Sequence, residues 1–192
     1  MSTLAERVVA IETALRDAHV PHAFGGALAL AYHIAEPRGT RDIDLNIFVD
    51  VRRARSILEL FPAGVTWGDK DLHVIARDGQ VRLFWDDTPV DLFFATHRFH
   101  RDAGTHLRDV PFDGTSIPIL SATDLTVFKA FFDRTRDWAD IEAMLDAGTV
   151  NAHTALGWLV EVVGGDDHRV SRLRGLLDRE PPETEPRFPH DS

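Results

Sequence analysis

The sequence predicts an α+β chain: a mixed sheet with flanking helices, followed by a C-terminal helical bundle. Three observations carry this expectation. Short β-rich runs alternate with helical stretches as far as residue 120, and Asp78-Gly79 between two such runs is a hairpin signal. From Ser121 onward the apolar residues recur only at helical spacing. The expected organisation is a core over 1–120, a helical subdomain over 121–179, and a tail over 180–192 whose proline and charge content opposes fixed structure.

Taken in order, Leu4, Val8, Ile11 and Leu15 fall on one face of a helix over 4–16. His22-Ala23-Phe24 is a short strand running into Gly25-Gly26, and the Ala/Leu-rich stretch 27–34 is helical until Pro37 and Gly39 break it. The alternating run 42–49 is a strand, and 51–60 is the helix after it. Three more strands are expected over 72–77, 80–85 and 90–94, and a weaker β pair around Val110 and 117–120. Ser121 with Asp124 resembles a capping box. Leu125, Phe128 and Phe132 then mark one apolar helix face, and Trp138, Ile141 and Leu145 another. Two further helices are expected over 154–163 and 167–177.

Composition limits the chemistry. The 192 residues, 44% of them apolar, suffice for one core, and no apolar run is long enough to span a bilayer. Residues 1–20 lack a signal-peptide pattern, so a cytoplasmic protein is expected. The absence of cysteine removes disulfides, thiolate nucleophiles and thiolate zinc sites, and leaves carboxylates to bind hard ions such as magnesium or manganese. The formal charge of −10 opposes broad nucleic-acid binding. His97 and His100 lack a third ligand at metal spacing, and no phosphate-binding loop ending in Gly-Lys-Ser/Thr is present.

The chemistry concentrates around Asp42-Ile43-Asp44. In a strand, residues two apart share a side, so the two carboxylates emerge together, their Cα atoms about 6 to 7 Å apart. Such a pair can converge on two metal ions about 3.5 to 4 Å apart, the arrangement used for in-line phosphoryl displacement. Gly25-Gly26 follows a strand and opens a helix, which frees backbone N–H groups to hold phosphate or simply makes a tight turn. Asp91, alone in the apolar run 90–94, is either a third carboxylate of the site or the partner of an arginine.

As an ordered set, Gly25-Gly26, then Arg38-Gly39-Thr40-Arg41-Asp42-Ile43-Asp44-Leu45, then Val90-Asp91-Leu92-Phe93 resembles the nucleotidyltransferase superfamily with the DNA polymerase β type of catalytic domain. The resemblance implies that Gly25 and Gly26 contact NTP phosphates, with Thr40 and Arg41 beside the nucleotide. It also implies that Asp42 and Asp44 bind magnesium or manganese and that Asp91 activates the acceptor hydroxyl. Many members carry serine where this chain has Gly26, so a hydroxyl contact to phosphate is missing here. Lys129 and the run from Arg134 to Ile141 resemble the closing motifs of AbiE-type nucleotidyltransferase toxins of toxin–antitoxin systems. That resemblance implies triphosphate contact by Lys129 and assigns Asp137 and Asp140 to the nucleotide site. The alternative is a Lys129 reaching water and an Arg136–Asp140 surface pair.

Within that group, the Men-type toxins are implied to add pyrimidine nucleotides to the 3' acceptor end of tRNA, blocking translation, and to be held by a cognate antitoxin. Such a tRNA would need a basic patch: Arg38, Arg41, Arg52, Arg53 and Arg55, or Arg169, Arg172 and Arg174. A phosphate on Thr40 would add about two negative charges beside the triphosphate and block it, and the bland reading is a turn-forming threonine. The rivals are a small-molecule nucleotidyltransferase of the aminoglycoside or lincosamide kind, a protein AMPylase, and a catalytically silent antitoxin-type binding module.

Overall fold

The computed structural model describes residues 2–37 and 39–178. The seven-stranded mixed sheet runs β3-β4-β5-β2-β1-β7-β6. Its strands are β1 (His22–Phe24), β2 (Ile43–Ile47), β3 (Val65–Thr66), β4 (Gln80–Trp85), β5 (Thr88–Phe94), β6 (Arg108–Phe112) and β7 (Thr115–Ile119). β2 lies antiparallel to β1 and parallel to β5, while β4 and β5 form an antiparallel hairpin. Alternate residues of β2 and β5 enter the core: Ile43, Leu45 and Ile47 beside Val90, Leu92 and Phe94, each at most 3% exposed. The intervening residues must therefore face the other side of the sheet.

Helices close both faces. α1 (Leu4–Asp17) starts at Thr3, whose hydroxyl accepts from the Glu6 N–H while the Glu6 carboxylate accepts from the Thr3 N–H. It buries Val8, Ile11 and Leu15. Arg7 on the same helix is buried and clamps the β4–β5 turn, donating to the Trp85 carbonyl and to Thr88 and Asp86. α2 (Gly26–Ile34) follows β1 directly.

The stretch 51–60 is only partly helical: a 3-10 turn (Val51–Arg53) leads into the short α3 (Ala54–Leu58). The strand expected over 72–77 is instead α4 (Asp69–Asp78). Asp71 accepts from the Gly68 N–H, acidic residues occupy the first turn, and Gly79 at φ 72° ends the helix in the left-handed region. The Asp-Gly signal is a helix stop, not a hairpin; the hairpin lies one element later, at 86–87. α5 (Arg98–Ala103) and the two-residue β3 have no counterpart in the sequence reading.

From α6 (Ala122–Phe132) the chain is helical: α7 (Thr135–Asp146), α8 (Ala152–Val163) and α9 (His168–Leu177) follow. Ser121 caps α6, accepting from the Asp124 N–H at 3.1 Å. Trp138, Ile141, Leu159, Val170 and Leu173 form a second apolar cluster beyond the sheet. Phe128 and Phe132, on the apolar face expected from their spacing, are half-buried and wall a cavity between α6 and the sheet. No helix of the described residues is long and apolar enough to cross a membrane. Arg38 and the expected tail over 180–192 lie outside the described residues.

Candidate active site

Register assembles the site. Asp44 on β2 lies directly beside Asp91 on β5, and Arg82 on β4 lies opposite Asp91. Asp42 immediately precedes β2. Arg82 donates through Nε and Nη2 to the two oxygens of Asp91, both at 2.7 Å, and its Nη2 stands 3.9 Å from Asp42. Asp91 is thus the partner of an arginine and the register neighbour of Asp44. Burial, and then the charges of Asp91 and Asp42, push the Asp44 carboxyl up to about 6; Lys129 and Arg134 act in the opposite direction.

The glycine turn is shaped around this carboxylate. The Gly25 N–H donates to the Asp44 carbonyl at 2.9 Å, and Gly26 opens α2 at φ +53°. A Cβ on Gly26 would lie 1.8 Å from Asp44 Oδ2. A side chain cannot occupy this position while Asp44 keeps its setting. The first N–H groups of α2 have no partner within the helix and offer donors beside Asp44.

The opposite wall comes from α6 and α7. Lys129 is 7% exposed, and its Nζ donates to Asp140 at 2.6 Å with Asp137 at 3.7 Å. Lys129 therefore stays inside, and Asp140 is its partner. Asp137, fully buried, also accepts from the Arg134 N–H at 3.2 Å and from Arg134 Nε at 2.6 Å. Two carboxylates thus set two cations against the cleft. Asp140 is paired with Lys129, and Asp137 with both Lys129 and Arg134; neither carboxylate is on the lining of the cavity between α6 and the sheet.

Of the residues singled out from sequence, Gly26, Asp44, Asp91 and Lys129 line one cavity of about 340 Å³, with Arg82, Arg134, Asn46 and Phe93. Gly25 and Asp42 are not on its lining, and Asp42 stands 3.9 Å from Arg82, which is. Thr40 and the exposed Arg41 are not on its lining. The Thr40 hydroxyl accepts from the Asp42 N–H at 3.2 Å and donates to the Asp42 carbonyl at 3.1 Å, which fixes the approach to β2. Arg134 belongs to the closing run quoted from sequence, without a role of its own there; Arg82 and Asn46 were not singled out. Asn46 extends the Asp42, Asp44 alternation, a signal that was legible; Arg82 becomes visible only once the hairpin register is known.

Among the described residues no three acidic or imidazole side chains converge on one point as they stand. Arg82 holds Asp91 aside. The donor set nevertheless fits a hard divalent cation: three carboxylates on adjacent backbone segments with no sulfur or imidazole among them. Such a cation would be held by Asp42, Asp44 and Asp91 after Arg82 releases its partner.

Of the seven described arginines considered for tRNA contact, four face carboxylates, while Arg41, Arg53 and Arg174 have none of the described residues' carboxylates within ion-pair distance. Arg52 meets Asp50 at 2.8 Å, Arg55 meets Asp69 at 2.7 Å, and Arg169 meets Asp167 at 2.8 Å. Arg172 stands 3.9 Å from Asp133.

No protein-family model matches the chain, and no curated protein does. Among solved structures it is similar to ANT(2'')-Ia in complex with adenylyl-2''-tobramycin, with a TM-score of 0.56, 15% identity, and coverage of 91% of this chain and 98% of that one. Weaker likenesses reach the lincosamide antibiotic adenylyltransferase LnuA, lincomycin-bound (TM-score 0.47, 11% identity, 72% and 94% covered), and JHP933 from Helicobacter pylori (TM-score 0.44, 18% identity, 92% and 91% covered). The first likeness establishes the fold as that of the nucleotidyltransferases.

Proposed function

We propose that this chain is a metal-dependent nucleotidyltransferase that moves a nucleoside monophosphate from an NTP to a hydroxyl of a small molecule, releasing pyrophosphate. The observation that carries the reading is convergence: the Gly26 turn at the start of α2, Asp44 on β2, Asp91 on β5, Lys129 on α6 and Arg134 before α7 line one cavity.

Each group has a role that follows from its chemistry. The free N–H groups opening α2 bind phosphate oxygens, and Lys129 and Arg134 offset the charge that builds on the leaving pyrophosphate. Asp137 and Asp140 keep both cations oriented before substrate arrives. The acceptor oxygen bonds to the α-phosphorus as the bond to the pyrophosphate oxygen breaks, and Asp91 takes the hydroxyl proton once Arg82 has swung clear. Magnesium or manganese at Asp42, Asp44 and Asp91 supplies, when bound, the positive charge that acidifies the hydroxyl and steadies the leaving group.

A small acceptor suits the surface better than tRNA does. Pairing of Arg52, Arg55 and Arg169 with carboxylates lowers the local positive potential that phosphate binding requires, in a chain whose formal charge is already −10. The test incubates the protein, magnesium and each α-labelled NTP with an aminoglycoside and lincosamide panel, with total tRNA, and with protein extract. Label on a small molecule is the expected outcome. Label on tRNA would restore the toxin-like reading, label on protein would make the chain an AMPylase, and no label in any arm would leave a binding module.

A further inference from the structure

The cavity continues past the reacting groups. Two residues further along both strands, on the face that carries Asp44 and Asp91, Asn46 on β2 lies beside Phe93 on β5, and Gln80 on β4 lies opposite Phe93. A row of amide, ring and amide thus runs parallel to the row of carboxylates, about 6 to 7 Å away along the strands. Phe128 and Phe132 from α6 face it, the Phe93 and Phe132 rings already touching at 5.7 Å between centroids. A planar ligand would therefore lie against this pair, not between its members.

Asn46 is the feature that demands an account. It is 3% exposed and lines the cavity, yet its Oδ1 has no hydrogen-bond partner among the described residues. A buried acceptor left unsatisfied lowers stability, a cost that leucine of similar volume would not incur. Structure gives no return for that cost; substrate does. An amide presents a donor and an acceptor in one plane, the complement of the edge of a nucleobase.

We infer that Asn46, with Phe93 behind it and Gln80 across the strands, forms the nucleobase subsite, taking the heterocycle of the incoming nucleoside triphosphate. This rests on the nucleotidyl-transfer reading of the same cavity. The separation of the two rows matches the single sugar between α-phosphate and base. The triphosphate then lies toward Gly26 and Lys129, the α-phosphate beside Asp44, and the base over Phe93 with its edge bonded to the Asn46 amide. In this role Asn46 acts on binding and on base choice, not on the transfer step.

The experiment is calorimetric titration of the full chain in magnesium, with no acceptor present, using the four ribonucleoside triphosphates, ribose 5-triphosphate and inorganic triphosphate. The wild-type protein should bind its best NTP at least tenfold more tightly than inorganic triphosphate, with ribose 5-triphosphate behaving like the latter. Asn46→Leu should narrow that gap to within threefold and leave affinity for inorganic triphosphate unchanged, with a melting temperature no lower than wild type. Gln80→Leu, a change at an exposed position, should narrow it in the same direction. If Asn46→Leu keeps the full preference for NTP, or if ribose 5-triphosphate already binds as tightly as NTP, the base subsite lies elsewhere. If the wild-type protein binds none of these ligands, the nucleotidyl-transfer reading itself falls, and the subsite with it.

Discussion

At Gly26, backbone conformation and the reactive carboxylate become one constraint. The residue sits at φ +53°, a conformation that costs a residue with a side chain about 1 kcal/mol, and any Cβ would strike Asp44 Oδ2. Gly26→Ala should therefore lower stability by roughly 1 to 3 kcal/mol and cut transfer at least a hundredfold, because relief of the clash must move Asp44. Gly114→Ala is the control: φ is +78° there, with nothing within 4 Å of the added carbon, so thermal unfolding should register strain while transfer is retained. Equal loss of transfer in both variants would show that Gly26 acts through general stability alone. Asp42 and Asp44 were legible in the sequence because strand alternation places them together without knowledge of the fold. Arg82 was not, because its partner is nine residues away across a hairpin whose position the sequence reading misjudged.

Among the elements, α4 and α5 show where local signals mislead. Residues 72–77 contain Leu72, Val74 and Ile75, a composition compatible with a strand, and the decision falls to Gly68, Asp69 and Asp71 at the start and Gly79 at the end. α5 has only six residues and no pattern long enough to read, yet it buries Phe99 and His100. His100 packs edge-on against Phe48 and Phe128, and its Nε2 has no partner among the described residues. Burial, and then the neighbouring His97, push its pKa down to about 4.

The folded protein therefore keeps His100 neutral while the unfolded chain takes up a proton below about 6.5. The stability associated with the neutral imidazole is present above pH 6.5 and is lost as pH falls toward 4, by on the order of 3 kcal/mol across that window. Asp44, raised to about 6, acts with the opposite sign, since its folded state holds the proton more tightly. Comparing His100→Leu with wild type cancels the Asp44 contribution. Denaturant unfolding from pH 7 to pH 4.5 should show wild type losing stability relative to the variant; parallel curves would mean that His100 is not held neutral by its surroundings.

Across the whole molecule, the sheet order brings residues 26, 44, 82 and 91 together, and α6 carries Lys129 over them, so the cleft exists only where the two halves of the chain meet. The order of the motifs along the sequence was enough to anticipate the nucleotidyltransferase fold, and the likeness to ANT(2'')-Ia agrees with it. The state of the candidate basic patches was not legible, because which surface charges are paired is decided by contacts between side chains distant in the sequence, such as Arg55 and Asp69.

The central claim is that Asp44 belongs to a reacting centre and not to the scaffold. Pyrophosphate release should be followed for wild-type protein and Asp44→Ala with magnesium, NTP and the acceptor that takes label, alongside circular dichroism and melting temperature. Release should be at least a thousandfold slower in the variant, with an unchanged spectrum and a melting temperature equal to or above wild type, since a half-buried carboxylate among like charges has been removed. An Asp44→Ala protein that releases pyrophosphate at the wild-type rate would contradict that claim.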